Sequence, residues 1–314
     1  MLTNVILCTI IASSQKNTSI LNIQNEERKL IMKMKITKIV ALLAVVVLAL
    51  GMMAGCGGTS KVKVIDLALS SEEYAFAVAQ DNKDLLDKVN AFLDKIVKDG
   101  TFDKICNNYF GDGTPVAVES AELDESKDQL VVATNLAFAP FEYIEGDKIY
   151  GIDMEIAAKL ADYLGLELVV SNMDFDAVCL AVGQQKCDIA MAGLTINEER
   201  KEYVTFTDSY YTASQKLITM ADNTEFDACT DAAAMEAILN EKGADVKVGV
   251  QTGTTGQFYC EGDADWGFAG FKMTTTGYKN GSLAVQDLLN GNIQYVIIDS
   301  APAACITEAI NELQ

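Results

Sequence analysis

LVVATNLAFAPFEYIEGDKIYGIDMEIAAKLADYLGLELVV, Leu130 to Val170, decides the fold. It opens on an apolar run rich in β-branched residues, LVVAT. It then passes into a stretch of helical period from Asp153 to Leu164, closed by Gly165, and returns to a second apolar run, LELVV. Strand, helix and strand in this order make a βαβ unit, with the two strands parallel and the helix crossing between them. The alternation continues through a helix near Ala177 to Gln184 into DIAMAG, Asp188 to Gly193. A second set follows: VKVGVQ into a helix at Thr255, FKMTTT, a helix from Ser282 to Leu289, YVIID, and a helix from Pro302 to the end. Two α/β lobes are expected.

DIAMAGLTINEERKEYVTFTDSYY, Asp188 to Tyr211, carries the most specific signal. It resembles the signature of the extracellular solute-binding proteins, family 3, the substrate-binding lipoproteins of polar amino acid ABC transporters. That signature runs as Asp, a short apolar strand, Gly, Thr, acidic or polar positions, Arg, then an aromatic, Ser or Thr, Asp and Tyr. The likeness covers nearly all of residues 62 to 314, and Asn197 stands where the family often has Thr. The resemblance implies a two-lobed, periplasmic-binding-protein-like (type II) α/β fold. It also implies a ligand cleft between the lobes and two hinge crossings, near Glu73 and near Tyr211.

A free amino acid brings a carboxylate and an ammonium into such a cleft, and each loses water at a cost unless it is paired. Arg200 has the bidentate fork that suits a carboxylate, although by itself one Arg on an acidic surface reads as a salt bridge. QTGTTGQ, Gln251 to Gln257, follows a strand and starts a helix, so backbone N–H groups there, Thr255 above all, suit a carboxylate. A phosphate loop would need a lysine that is missing. For the ammonium, the resemblance assigns the carbonyl of Gly193, the hydroxyl of Thr195 and the carboxylate of Asp299, whose alternative is a cap for the helix at Pro302. Phe138 and Phe175 match positions where the family stacks rings around the ligand side chain; their alternative is ordinary core. Asn135 follows the first strand where many relatives carry Asp, and Gln251 holds a place that can be basic. Neither is charged, so the expected ligand side chain is polar and uncharged rather than that of lysine or arginine.

The order of the pieces is unusual. EEYAFAVAQDNKDLLDKVNAFLDKIVKDGTFDKICNNYFGDG, Glu72 to Gly113, reads like the ending of such a protein yet stands ahead of its beginning. Within it, Asp81 or Asn82 caps a helix with apolar positions Leu85, Val89, Phe92, Leu93 and Ile96, and Thr101 starts a shorter one. A circularly permuted chain is expected, with residues 113–128 linking the old termini. An unrelated helical prefix and a decayed tandem duplication are the alternatives; neither explains why the prefix supplies what the C-terminus lacks. The smaller lobe would comprise residues 61–72 and 213–314, the larger 73–112 and 129–212. Every ligand-contacting position assigned above falls after Leu130.

Met32 to Cys56 has a basic start, an apolar run from Ile39 to Leu50, and Met53-Ala54-Gly55-Cys56. This resembles a bacterial lipoprotein signal, 32–55, cleaved before a lipidated Cys56, with 56–60 as tether. Residues 1–31 read as an upstream extension, translation starting at Met32 or Met34. The protein is therefore expected outside the cytoplasmic membrane, touching it only through the lipid. Its net charge of −21 argues against nucleic acid as a partner. The chain has no histidine, which excludes Ser-His-Asp and Cys-His catalysis and argues against a catalytic zinc. Cys106, Cys179, Cys187, Cys229, Cys260 and Cys305 lack CxxC spacing, so no metal knuckle is expected, and free thiols are favoured over disulfides. The function read from this is a monomeric amino acid receptor of an ABC importer, without cofactor, serving a permease. The rivals are a dehydratase-like enzyme of the same fold, disfavoured because no histidine and no extra pocket carboxylate is apparent, and an amino acid sensor.

Overall fold

The structure, a computed structural model, describes residues 60–313; the signal segment, Cys56 and the upstream residues lie outside the described residues. Two five-stranded mixed sheets carry the fold. The first contains β1 (Val62–Ile65), β12 (Gln215–Met220), β13 (Lys247–Gln251), β14 (Thr274–Tyr278) and β15 (Tyr295–Asp299), in the order β1-β12-β15-β13-β14. The second contains β3 (Ala77–Ala79), β4 (Gln129–Thr134), β8 (Glu167–Asn172), β9 (Ile189–Ala190) and β10 (Val204–Phe206), in the order β10-β3-β9-β4-β8. In each, the strands joined by helical crossovers run parallel: β4 with β8 and β9, and β13 with β14 and β15. β4 and β8 are joined through α3 (Ile152–Leu164), and Gly165 ends that helix at φ 73, a left-handed conformation that suits glycine.

The N-terminal segment is woven into both sheets. β1 adds an edge antiparallel to β12, whereas β3 lies inside the second sheet between β10 and β9, which is why all three of its residues are buried. Asn82 then caps α1 (Lys83–Lys98), its side chain accepting the Leu85 N–H, and α1 buries Val89, Phe92, Leu93 and Ile96. α2 (Thr101–Phe110) follows and packs beside α3. Between the sheets, β2 (Glu72–Tyr74) pairs antiparallel with β11 (Tyr211–Ala213), Glu73 facing Thr212. At these two short strands the chain passes from one sheet to the other.

Several elements depart from the sequence reading. Residues 72–79 form two strands, β2 and β3, because the chain turns there from the hinge pair into the sheet. DIAMAG yields only Ile189–Ala190, since the backbone leaves the sheet for a loop in which Gly193 adopts φ +53. β12, the meander β5 (Ala137–Phe138), β6 (Glu142–Glu145) and β7 (Lys148–Tyr150), and α6 (Ala232–Asn240) were not read at all. The meander runs are too short to show a period of two.

Residues 113–128 form an ordered strap without regular strand. The Val118 N–H bonds to Ile149 O at 2.8 Å, the Ala121 N–H to Leu168 O at 2.8 Å, and the Ser120 hydroxyl accepts the Val170 N–H at 2.9 Å. A surface groove of about 660 Å³ lies between this strap and α3, away from the junction of the sheets. At the other end, Oδ1 of Asn311 accepts the N–H groups of Lys61 and Val62 at 2.8 and 3.3 Å, placing the first strand against α9 (Ser300–Glu312). Among the described residues the six cysteines are free thiols, and no helix is long and apolar enough to cross a membrane.

Candidate functional site

The loop Met191–Asn197 lies where the two sheets meet. It is bonded directly to the first crossing: the Ala75 N–H donates to Leu194 O and the Ile196 N–H to Glu73 O, each at 3.0 Å. Gly193 is required here twice over. Its φ is left-handed, and a Cβ would stand 2.9 Å from the Phe138 ring and 3.3 Å from that of Tyr74. Thr195 is 3% exposed and donates its hydroxyl to Oε2 of Glu72 at 2.9 Å, leaving its lone pairs for another donor.

Arg200 sits on α5 (Glu198–Lys201), whose first turn is held by Asn197, the side-chain Oδ1 accepting the Arg200 N–H at 2.8 Å. Asparagine in place of threonine thus still caps the turn. The guanidinium donates to Thr195 O at 2.6 Å and, across the cleft, to Gly253 O at 2.9 Å, with its Cζ 5.1 Å from the centroid of the Phe175 ring. Five N–H donors in a rigid fork leave three more for a carboxylate.

The opposite wall comes from the first sheet. Gln251 ends β13, and Thr255 begins α7 (Thr255–Glu261), 2% exposed with its hydroxyl unpartnered. Gln251 Nε2 donates to Asn135 Oδ1 at 3.2 Å, so the two amides read as specificity positions bind each other across the cleft; Asn135 Nδ2 also donates to Met173 O. Asp299 ends β15, 4% exposed, and accepts the Tyr74 hydroxyl at 2.5 Å. Burial, aided by the charge of Glu72, pushes its carboxyl up to about 7 against the Tyr74 hydrogen bond. All nine sequence-predicted positions therefore lie along this one junction, Phe138 against Gly193 and Phe175 under Arg200.

Five further residues were missed. Glu72 gathers Thr195, Gln215 and Ser70; Tyr74 holds Asp299; Tyr210 and Asp153 bond each other. Glu142, on β6, is 0% exposed and both its oxygens lack a partner; burial first, then Asp153 and Asp299, raise its carboxyl well above the usual range. Buried carboxylates beyond Asp299 are thus present near the junction, and two of the residues that hold the assigned positions, Glu72 and Tyr74, precede Leu130. The signal for Glu142 and Asp153 was an acid inside an otherwise apolar stretch, PFEY and GIDMEI.

The sequence model of the bacterial extracellular solute-binding proteins, family 3, matches residues 130–301, more than half of the chain. The chain belongs to this family. Among similar family members, the arginine-binding extracellular protein ArtP of Bacillus subtilis is 38% identical over 100 residues, covering 32% of this chain and 39% of that protein. A putative ABC transporter arginine-binding protein 2 of Escherichia coli is 30% identical over 170 residues, 54% of this chain and 62% of that one. The matched part thus spans about two to three fifths of these relatives' length. A crystal structure of the ancestral amino acid-binding protein AncCDT-1, a precursor of cyclohexadienyl dehydratase, is 30% identical with a TM-score of 0.50, covering 58% of this chain and 74% of that one.

Proposed function

We propose that this family member is an extracytoplasmic receptor that captures a free amino acid between its lobes and delivers it to an ABC permease. The observation that carries this is the convergence of Arg200 with Thr195, Gly193 and Asp299: a cationic fork for a carboxylate beside acceptors for an ammonium. Because Asp299 lies on the wall opposite Arg200, Thr195 and Gly193, a ligand that touches both walls favours the closed arrangement, the hinge movement of periplasmic binding proteins. Similar proteins named arginine- and histidine-binding support this reading. Anchoring through Cys56 remains part of it.

The uncharged preference drawn from Asn135 and Gln251 is one reading of the ligand side chain. The similar proteins named arginine- and histidine-binding favour another, a basic side chain, and the buried, unpartnered carboxyl of Glu142, close enough to Asp299 for their charges to act on each other, is the candidate partner for its cation. We adopt the basic side chain. A thermal-shift screen of the twenty amino acids on residues 57–314 tests both levels. Arginine, lysine or histidine should raise the melting temperature most; glutamine or asparagine in first place restores the uncharged reading, and no shift with any amino acid sinks the receptor. Turnover of a small carboxylic acid, followed by NMR, would instead favour the dehydratase-like enzyme, for which Glu142 supplies an acid that the sequence did not show.

We also read the chain as circularly permuted. β3 inside the second sheet and the clasp of β1 by Asn311 support this, since they place elements from before residue 113 within and beside the sheets built from the family-matched segment. A relinked variant running 129–313, then 61–112, should fold and bind alike; failure of that order to fold would count against permutation.

A further inference from the structure

We propose that Asp153 is a positioning residue that ties the ligand loop to the second hinge crossing through its two carboxylate oxygens. Oδ2 accepts the Gly193 N–H at 2.9 Å, and Oδ1 accepts the Tyr210 hydroxyl at 2.7 Å. Gly193 is the carbonyl assigned to the ligand ammonium, so the inference rests on the receptor reading. Tyr210 stands directly before β11, donates its N–H to Tyr74 O and stacks on Phe76 at 4.4 Å. One side chain therefore joins the loop that meets the ligand to the strand on which the lobes turn.

The location is demanding. Asp153 lies in the first turn of α3 and is 0% exposed, where the helix N-terminus favours a negative charge but burial opposes it. α3 is fixed there by the Asp153 N–H on Phe141 O, and Gly151 admits no Cβ because Phe141 O would lie 2.0 Å away. The carboxylate is thus held still while its two donors come from segments far apart in sequence. A carboxylate suits this better than an amide: both donors point at it, and an Asn would present its NH₂ to one of them. The titratable groups facing it are Glu142 on β6, Tyr210 beside β11 and Cys106 on α2, and among the described residues no arginine or lysine bonds to it. Burial pushes its carboxyl up to about 7, with the Gly193 and Tyr210 hydrogen bonds opposing. The held loop is then the ionised form, and protonation below that pH releases a donor.

The test uses the Gly193 amide resonance and arginine affinity together. In the ligand-free protein the amide proton should lie downfield and move upfield as pH falls through about 7; in Asp153→Asn it should not titrate, and arginine should bind about 10-fold more weakly. Tyr210→Phe, which cuts only the hinge arm, should keep the Gly193 titration yet still lose affinity several-fold. If wild type binds arginine but Gly193 does not titrate, or Asp153→Asn and Tyr210→Phe bind within twofold of it, the inference is overturned. If wild type binds no amino acid at all, the receptor reading fails instead, while the amide titration still reports on the contact itself.

Discussion

The two walls of the cleft are made of different chemistry. The side of the second sheet and its meander carries Arg200, Phe138 and Phe175, with Glu142 buried behind Phe138 on the paired strand, long side chains with charge or π-surface. The wall from the first sheet presents Gly253, Thr255, Gln251 and Asp299, mostly short groups and backbone. Even their joint contacts show it: Arg200 reaches over to a carbonyl, Gly253 O, and Lys279 pairs with Asp174 only at the exposed rim. On the proposed receptor reading, the wall with the Arg200 fork carries most of the recognition while the other adds Asp299 and short backbone groups, so the two should respond differently to substitution.

The largest effect should come from the recognising wall. Arg200→Ala should cost about 3–5 kcal/mol of binding, a loss of about 150-fold to a few-thousand-fold by calorimetry, with the fold retained by circular dichroism; unchanged affinity would remove the carboxylate role. Arg200→Lys keeps the charge but not the fork and should rescue only part. Next, Glu142→Gln should weaken arginine binding about 10-fold to 100-fold while changing glutamine binding little, and a loss equal for both ligands would show that Glu142 serves the fold and not the ligand.

The opposite wall should give smaller losses. Gly253 has φ +77, and a Cβ there would stand 3.0 Å from Cβ of Asp176 on the other wall. Gly253→Ala should therefore weaken binding by roughly 1–2 kcal/mol, about 10-fold, and adding Asp176→Gly should return part of it. No recovery would mean that backbone strain alone is responsible.

The smallest effect concerns pH. Asp153 and Asp299 have carboxyls raised to about 7 by burial, so between about pH 4 and 7 the folded chain holds protons that the unfolded chain has lost. Their contribution to stability is fully present below the unfolded pKa and is lost as pH rises through about 7. The ligand-free melting temperature should be lower at pH 8 than at pH 5. Arginine affinity should run the other way, rising over that interval, because the ligand ammonium favours ionised Asp299. Parallel slopes would break the comparison between an empty and a filled cleft.

How much of this was legible in the sequence follows from what each residue had to do. The βαβ unit from Leu130 and the helix capped by Asn82 were readable because their period and caps are local. Arg200 and Thr195 stand in the motif from Asp188 to Tyr211 and Asp299 was assigned by the resemblance, and the structure brings all three to the junction of the sheets. Glu72 and Tyr74 were not legible, since their partners, Thr195 and Asp299, are more than a hundred residues away in sequence and only the paired crossings bring them together. The Gln251–Asn135 contact was hidden for the same reason: each looked like a lone specificity residue, and neither showed that it would meet the other.

The strap between α2 and β4 has a consequence of another kind. β8 is the outermost strand of its sheet, and a bare outer strand offers a row of unpaired amides to any neighbouring chain. Ala121 and Ser120 occupy that row at Leu168 and Val170. The segment that joins α2 to β4 therefore also guards this margin of the sheet against stacking of one copy onto the next.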